Sequence, residues 1–256
     1  MNRRTDVLIN FAAVSISKTD LLSGKSAVVT GASRGIGFAI AEALSKLGCG
    51  VVLTSRNLGS AQAVAANLKN ASAPVIPIAC DVKNETAIKR LFQTVREQFG
   101  SLHFLVNNAG IYGPAYSVEN APTEGWREAL ETNLTGPFLC TKYAVPLMRK
   151  GSVIVNNLSV AAYQVFPKSA AYIASKQGLL GLTNASREDL RSRGIRVVAL
   201  VPGATDTEIW SQFWPEAPRE KMMRPGDVAH AVVSALLMPP ETSMDEIRIM
   251  PAAGTL

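Results

Sequence analysis

The 256-residue sequence predicts an α/β fold built on a doubly wound parallel sheet of about seven strands with helices on both faces. Three observations lead there. Short β-branched runs alternate with longer stretches of helical period almost to the end of the chain. Those runs are apolar throughout instead of alternating with polar residues, the pattern of strands buried on both faces. The first run opens into a glycine-rich turn, Thr30-Gly31-Ala32-Ser33-Arg34-Gly35-Ile36-Gly37, with a helical repeat behind it.

Residues 27–30 form the first expected strand, and Ile36, Ile40, Ala43, Leu44 and Leu47 repeat with helical spacing after the turn. Further strands are expected at 51–54, 75–80, 104–106, 153–158 and 197–201. Helices are expected between them at 60–70, 85–99, 126–148 and 171–193, each long enough for a right-handed crossover. A helix at 227–237 and a strand at 246–250 close the chain, completing a Rossmann-type sheet.

With 47% hydrophobic residues the chain can bury one large core, and no linker or block repeat divides it. One domain is therefore expected over 24–256, preceded by an extension at 1–23. Arg3 and Arg4 stand before an apolar stretch in that extension, but Asp6 and Asn10 interrupt it; it reads as a poorly ordered arm or packing appendage, not a secretion signal. Cys49, Cys80 and Cys140 are odd in number and lack metal-like spacing, which suits reduced thiols in a cytoplasmic protein. The formal charge of +6 is spread over scattered Lys and Arg without interleaved aromatics, so it argues against nucleic acid and for an anionic cofactor or an acidic carrier protein. No apolar run is long enough to cross a bilayer, and His103 and His230 have no ligand-like neighbours, so neither a membrane nor a metal is expected.

In the turn, Gly31, Gly35 and Gly37 let backbone N–H groups approach phosphate alongside Ser33, Arg34 and Ile36, and the following helix offers its positive end. That is a pyrophosphate site for a dinucleotide. An acid at the end of the second strand would bind the ribose 2′-hydroxyl and repel a 2′-phosphate. The sequence there is Thr54-Ser55-Arg56-Asn57, and Arg56, helped by Arg34, suits charge-assisted hydrogen bonds to that phosphate. NADP(H) is preferred over NAD(H) on this ground. Beyond the third strand, Asp81 is placed to accept from the adenine amino group while Val82 donates its N–H; the competing role is an N-cap for the helix beginning near Asn84. Asn107-Asn108-Ala109-Gly110 offers small and amide residues against which the adenosine ribose can lie.

A carbonyl that accepts hydride develops negative charge on oxygen and needs a proton donor. Tyr172 is suited to this, with Lys176 one helical turn later to lower its pKa and to hold the nicotinamide ribose. Ser159, thirteen residues before the tyrosine, is placed to hydrogen-bond the carbonyl oxygen. Pro137 denies a helical N–H to the carbonyl of Asn133, which frees it for a water that can resupply protons through Lys176, or else marks a kink.

These residues resemble the short-chain dehydrogenase/reductase family in its compact single-domain form, over roughly residues 24–251. The resemblance implies a catalytic tetrad of Asn133, Ser159, Tyr172 and Lys176, with Tyr172 as acid/base. It also implies that Pro202-Gly203-Ala204-Thr205-Asp206-Thr207 follows the sixth strand and touches the nicotinamide carboxamide through Thr205 and Thr207. A homodimer through the helices bearing Asn133 and Tyr172 is implied too. The family's tetramer is put in doubt, because the chain ends Glu246-Ile247-Arg248-Ile249-Met250-Pro251 where many members have a glycine-rich stretch.

Between Thr207 and Arg224, Trp210, Phe213 and Trp214 read as an aromatic lid for an apolar carbonyl compound. The expected activity is NADP(H)-dependent interconversion of a small-molecule ketone or aldehyde and its alcohol. The nearest alternative is a 3-oxoacyl-carrier-protein reductase, with Arg127, Arg149, Arg187 and Arg191 as candidate carrier contacts. A catalytically idle NADP(H)-sensing or scaffold protein is the other class, against which the intact Tyr172 and Lys176 speak.

Overall fold

The computed structural model describes residues 20–68, 73–113, 115–212 and 214–254. Expectations for the first nineteen residues and for Phe213 lie outside them. Among the described residues, seven strands form one sheet in the order β3-β2-β1-β4-β5-β6-β7: β1 Ser26–Val29, β2 Gly50–Ser55, β3 Val75–Ala79, β4 Leu102–Asn107, β5 Met148–Asn157, β6 Arg196–Pro202 and β7 Glu246–Ile249. Every neighbouring pair is parallel.

The crossovers are α1 Gly35–Lys46, α2 Leu58–Asn67, α3 Glu85–Phe99, α4 Thr123–Leu130, α5 Gly136–Ala144, α6 Ala170–Arg191 and α7 Pro225–Leu236. Period-two alternation along the strands sorts the core into two layers. Val29 and Leu53 pack with Ile40 and Leu44 of α1 and Val228 and Val232 of α7. Val28, Val52, Leu105 and Ile154 turn the other way, onto Ile88 and Leu91 of α3 and Leu139 and Cys140 of α5. Both faces are thus buried, as continuous apolar runs require. All three cysteines are buried free thiols, and no described helix is long and apolar enough to cross a membrane.

The expected single helix at 126–148 is instead broken. After α4 the chain passes through a π-helical turn at Glu131–Thr135, in which Gly136 N–H bonds to Glu131 O, before α5 begins. Pro137 is the cause: it has no N–H, and a wider i+5 turn carries the chain past it. Pro146 then tightens the end into a 3-10 turn at Val145–Leu147, and β5 begins at Met148, earlier than its apolar run suggests. A register shift between Leu102 and Phe104 absorbs the extra residues.

Candidate active site

The sheet order reverses between β1 and β4, and the carboxyl ends of the strands there open into a cleft of about 510 Å3. Gly31, Ser33, Arg34, Gly35 and Ile36 line one end. Gly31 and Gly35 have φ of 62° and 57°, the left-handed region that glycine favours. A Cβ on Gly31 would stand 2.8 Å from Ala109 Cα, and one on Gly37 would stand 2.3 Å from Asn108 Nδ2. Gly37 is therefore not part of the cleft wall; its missing side chain makes room for the asparagine. Helix α1 has no side-chain cap and no acid in its first turn, which leaves the positive end of its dipole uncompensated. So tight a backbone cradle at an uncapped helix start fits a pyrophosphate.

The segment after β4 holds this turn in place. Thr30 Oγ1 accepts from the N–H groups of Asn108 (2.9 Å) and Ala109 (3.0 Å). The Asn108 amide donates back to Thr30 O at 3.0 Å and Gly31 O at 3.1 Å. Asn108, Ala109 and Gly110 also line the cleft, so the expected ribose surface doubles as a clamp on the glycine turn. Ser55 and Arg56 approach from β2, and Asp81 and Val82 from β3. The Arg34 and Arg56 side chains are exposed and, among the described residues, neither has a carboxylate partner. Asp81 Oδ1 accepts from Lys83 N at 2.9 Å, while the cap of α3 is Asn84, whose Oδ1 accepts from Ala87 N at 3.0 Å. Asp81 is thus not that helix's N-cap.

Ser159, Tyr172, Lys176, Pro202, Gly203, Thr205 and Thr207 line the opposite end. Lys176 Nζ lies 5.6 Å from the Tyr172 ring centroid and donates to Asn157 O at 2.8 Å. Burial pushes the lysine down to about 8. Tyr172 is pushed up to about 12 by burial, with Tyr112 adding to the rise and a hydrogen bond from Ser159 opposing it. This corrects the expectation that the lysine lowers the phenol's pKa. Both groups share one desolvated pocket, and burial is the largest cause of each shift.

Asn133 is fully buried behind the wall instead of on it. Its Oδ1 accepts from Ile111 N at 2.9 Å, and its Nδ2 donates to Ile111 O at 2.8 Å and Ser175 Oγ at 2.9 Å. It braces the segment after β4 against α6, one residue before Lys176. The π-helical turn that frees this stretch from regular i+4 bonding is what brings the amide there.

Trp210 and Trp214 form the outer wall with edge-on rings 6.0 Å apart. Trp210 Nε1 donates to Thr205 O at 2.8 Å, and Arg219 Nη1 reaches Asp206 Oδ1 and Thr207 O, each at 2.7 Å, so the lid is pinned at its root. Tyr112 and Phe166 also line the cleft. Neither was legible in the sequence, since both come from irregular segments. Tyr112 packs against Tyr172 with tilted rings and centroids 4.8 Å apart, and its hydroxyl meets Ser169 Oγ at 2.5 Å. The arginines considered for a carrier protein are not gathered at this mouth. Arg187 is committed to Val197 O and Asp245 O, and Arg191 pairs with Glu188 at the far end of α6.

A stability prediction follows from Lys176. The unfolded lysine keeps its proton to about pH 10.4, whereas the folded one releases it above about 8. The native state therefore binds fewer protons in that window, and folding becomes more favourable as pH rises through it. Urea unfolding is expected to show wild type gaining on the order of 3 kcal/mol relative to Lys176→Met between pH 7 and pH 10.5. A constant difference across that range would contradict it.

Comparison with known proteins agrees with this geometry. The profile of the family described as short chain dehydrogenase matches residues 25–218. A 3beta-hydroxysteroid dehydrogenase of Mediterraneibacter gnavus is 39% identical over 202 residues, covering 78% of this chain and 72% of its own. A farnesol dehydrogenase of Aedes aegypti is 37% identical over 240 residues, covering 91% and 98%. Among solved structures, a short chain dehydrogenase from Burkholderia cenocepacia in complex with NADP superposes with TM-score 0.83 at 32% identity, covering 91% of this chain and 99% of that one. The chain belongs to the short-chain dehydrogenase family, as an oxidoreductase acting on alcohol and carbonyl groups with a nicotinamide cofactor.

Proposed function

We propose that the protein is an NADP(H)-dependent oxidoreductase that interconverts apolar ketones or aldehydes with their alcohols. The observation that carries this reading is one cleft holding the glycine turn, two guanidinium groups that have no carboxylate partner among the described residues, and Ser159, Tyr172 and Lys176 at its other end. The turn would hold the pyrophosphate, Arg34 and Arg56 the 2′-phosphate, Asp81 and Val82 the adenine, and Thr205 and Thr207 the carboxamide. When bound, the dinucleotide supplies or accepts the hydride.

The chain's own residues handle the proton. Ser159 donates a hydrogen bond to the carbonyl oxygen and so favours its developing negative charge. Tyr172 delivers the proton; with its pKa at about 12 it is fully protonated at neutral pH and serves as an acid as it stands. Lys176 spends one N–H on Asn157 O and keeps two for the ribose hydroxyls and the proton path. Alcohol oxidation needs the phenolate, so its optimum lies at more alkaline pH than that of reduction.

Tyr112, Phe166, Trp210 and Trp214 surround the substrate end with rings, which favours a lipophilic substrate over a charged one. The similarity to proteins named for farnesol and a 3β-hydroxysteroid supports the same class. The test is NADPH consumption across farnesal, 3-ketosteroids, simple ketones and a carrier-bound β-ketoacyl thioester. Turnover of the lipophilic free carbonyls is expected; turnover of the carrier-bound thioester alone would replace this reading with a carrier-protein reductase.

A further inference from the structure

Asn157, the last residue of β5, joins the two ends of the cleft. Its Nδ2 donates to Asn108 Oδ1 at 2.9 Å. The Asn108 Nδ2 is already committed to Thr30 O and Gly31 O, which fixes the orientation of that amide and, through it, the orientation of Asn157. The backbone carbonyl of the same Asn157 accepts from Lys176 Nζ at 2.8 Å. One residue thus holds the lysine with its main chain and the clamp on the glycine turn with its side chain.

A packing role does not account for this side chain. Asn157 is 9% exposed, and its Oδ1 is buried with no donor among the described residues, a cost that a leucine of similar size would avoid. Nor is it part of the polar core beside it. Asn156 faces the other way, linking Asn107 Nδ2 to Thr183 Oγ1 across β4, β5 and α6. Consecutive asparagines on one strand serve separate networks on opposite faces.

We propose that Asn157 is a positioning residue that couples the dinucleotide-binding turn to Lys176. The inference rests on the functional reading above, in which the turn carries the pyrophosphate and the lysine serves the proton path. A pyrophosphate seated on the turn fixes Gly31. Through Asn108 it fixes the end of β5, and with it the carbonyl that aims the lysine. Without the Asn157 side chain each end keeps its own groups, but neither constrains the other.

The test is a double-mutant cycle on the full chain with Asn157→Leu and Asn108→Ala, reading NADPH affinity by fluorescence titration and the pH profile of kcat. Asn157→Leu is expected to raise the Kd for NADPH about tenfold and to move the lysine-dependent limb of the profile by at least about half a unit. In the Asn108→Ala background the same change is expected to add no further loss of affinity, because the link is already cut. Additive losses, or a lower melting temperature with an unmoved pH limb, would reduce Asn157 to a filler and overturn the coupling. If Asn157→Leu fails to fold, Asn157→Ser carries the cycle with the same criteria. Failure of the unaltered protein to bind NADPH would overturn the functional reading and this inference together; binding with independent effects would overturn the coupling alone.

Discussion

Tyr172→Phe is expected to lower kcat for carbonyl reduction by about two to four orders of magnitude while leaving the Kd for NADPH within about twofold. The substitution removes one oxygen and little else. The phenylalanine ring can keep the tilted contact with Tyr112 at 4.8 Å between centroids and the ammonium of Lys176 near its face. The groups assigned to the pyrophosphate and the 2′-phosphate lie at the other end of the cleft. Only the proton donor is lost, and water is a poor substitute in a pocket where burial, the largest cause, helps raise the phenol to about 12. Steady-state kinetics beside a fluorescence titration of NADPH separates the two effects. A variant that turned over at the unaltered rate would move the acid to another residue; one that lost NADPH binding would make the tyrosine a cofactor anchor first.

Arg56→Asp is expected to lower kcat/KM with NADPH by about a hundredfold or more and to raise the NADH/NADPH preference by at least that factor. A charge-assisted pair with the phosphate disappears, and a carboxylate takes its place where it repels the phosphate yet accepts from a ribose 2′-hydroxyl. Arg56 is exposed and, among the described residues, has no carboxylate partner, so the change removes no ion pair there and stability is expected to stay within about 0.5 kcal/mol. Parallel kinetics with the two coenzymes check this. An unchanged preference would leave the phosphate to Arg34 alone.

The sheet and most of its crossovers were legible because apolar strands buried on both faces advertise themselves, and because a Gly31, Gly35 and Gly37 turn between a strand and a helix marks a phosphate-binding turn. Tyr172 and Lys176 were legible through helical spacing, which brings i and i+4 to one face. What stayed hidden depends on three-dimensional surroundings. Pro137 was visible, but the π-helical turn that accommodates it was not, so one long helix was expected where the chain makes two. The sign of the Tyr172 shift could not be read from an adjacent lysine, since it depends on burial, on the hydrogen bond from Ser159 and on Tyr112. Asn157 sat unremarked inside an apolar run; its meaning comes only from contact with Asn108, 49 residues away in sequence, and with Lys176. Tyr112 and Phe166 lie in irregular segments whose path no periodicity reports.

The most direct test of the central claim, hydride delivery to a carbonyl carbon with the proton from Tyr172, is isotopic. The protein is given NADPH deuterated at the transferable C4 position together with farnesal or a 3-ketosteroid, and the alcohol is analysed by mass spectrometry and NMR. One deuterium on the carbinol carbon is expected, with the hydroxyl proton drawn from solvent through the enzyme and the product lost in Tyr172→Phe. An alcohol formed without deuterium on that carbon, or formed equally by the phenylalanine variant, would contradict the account.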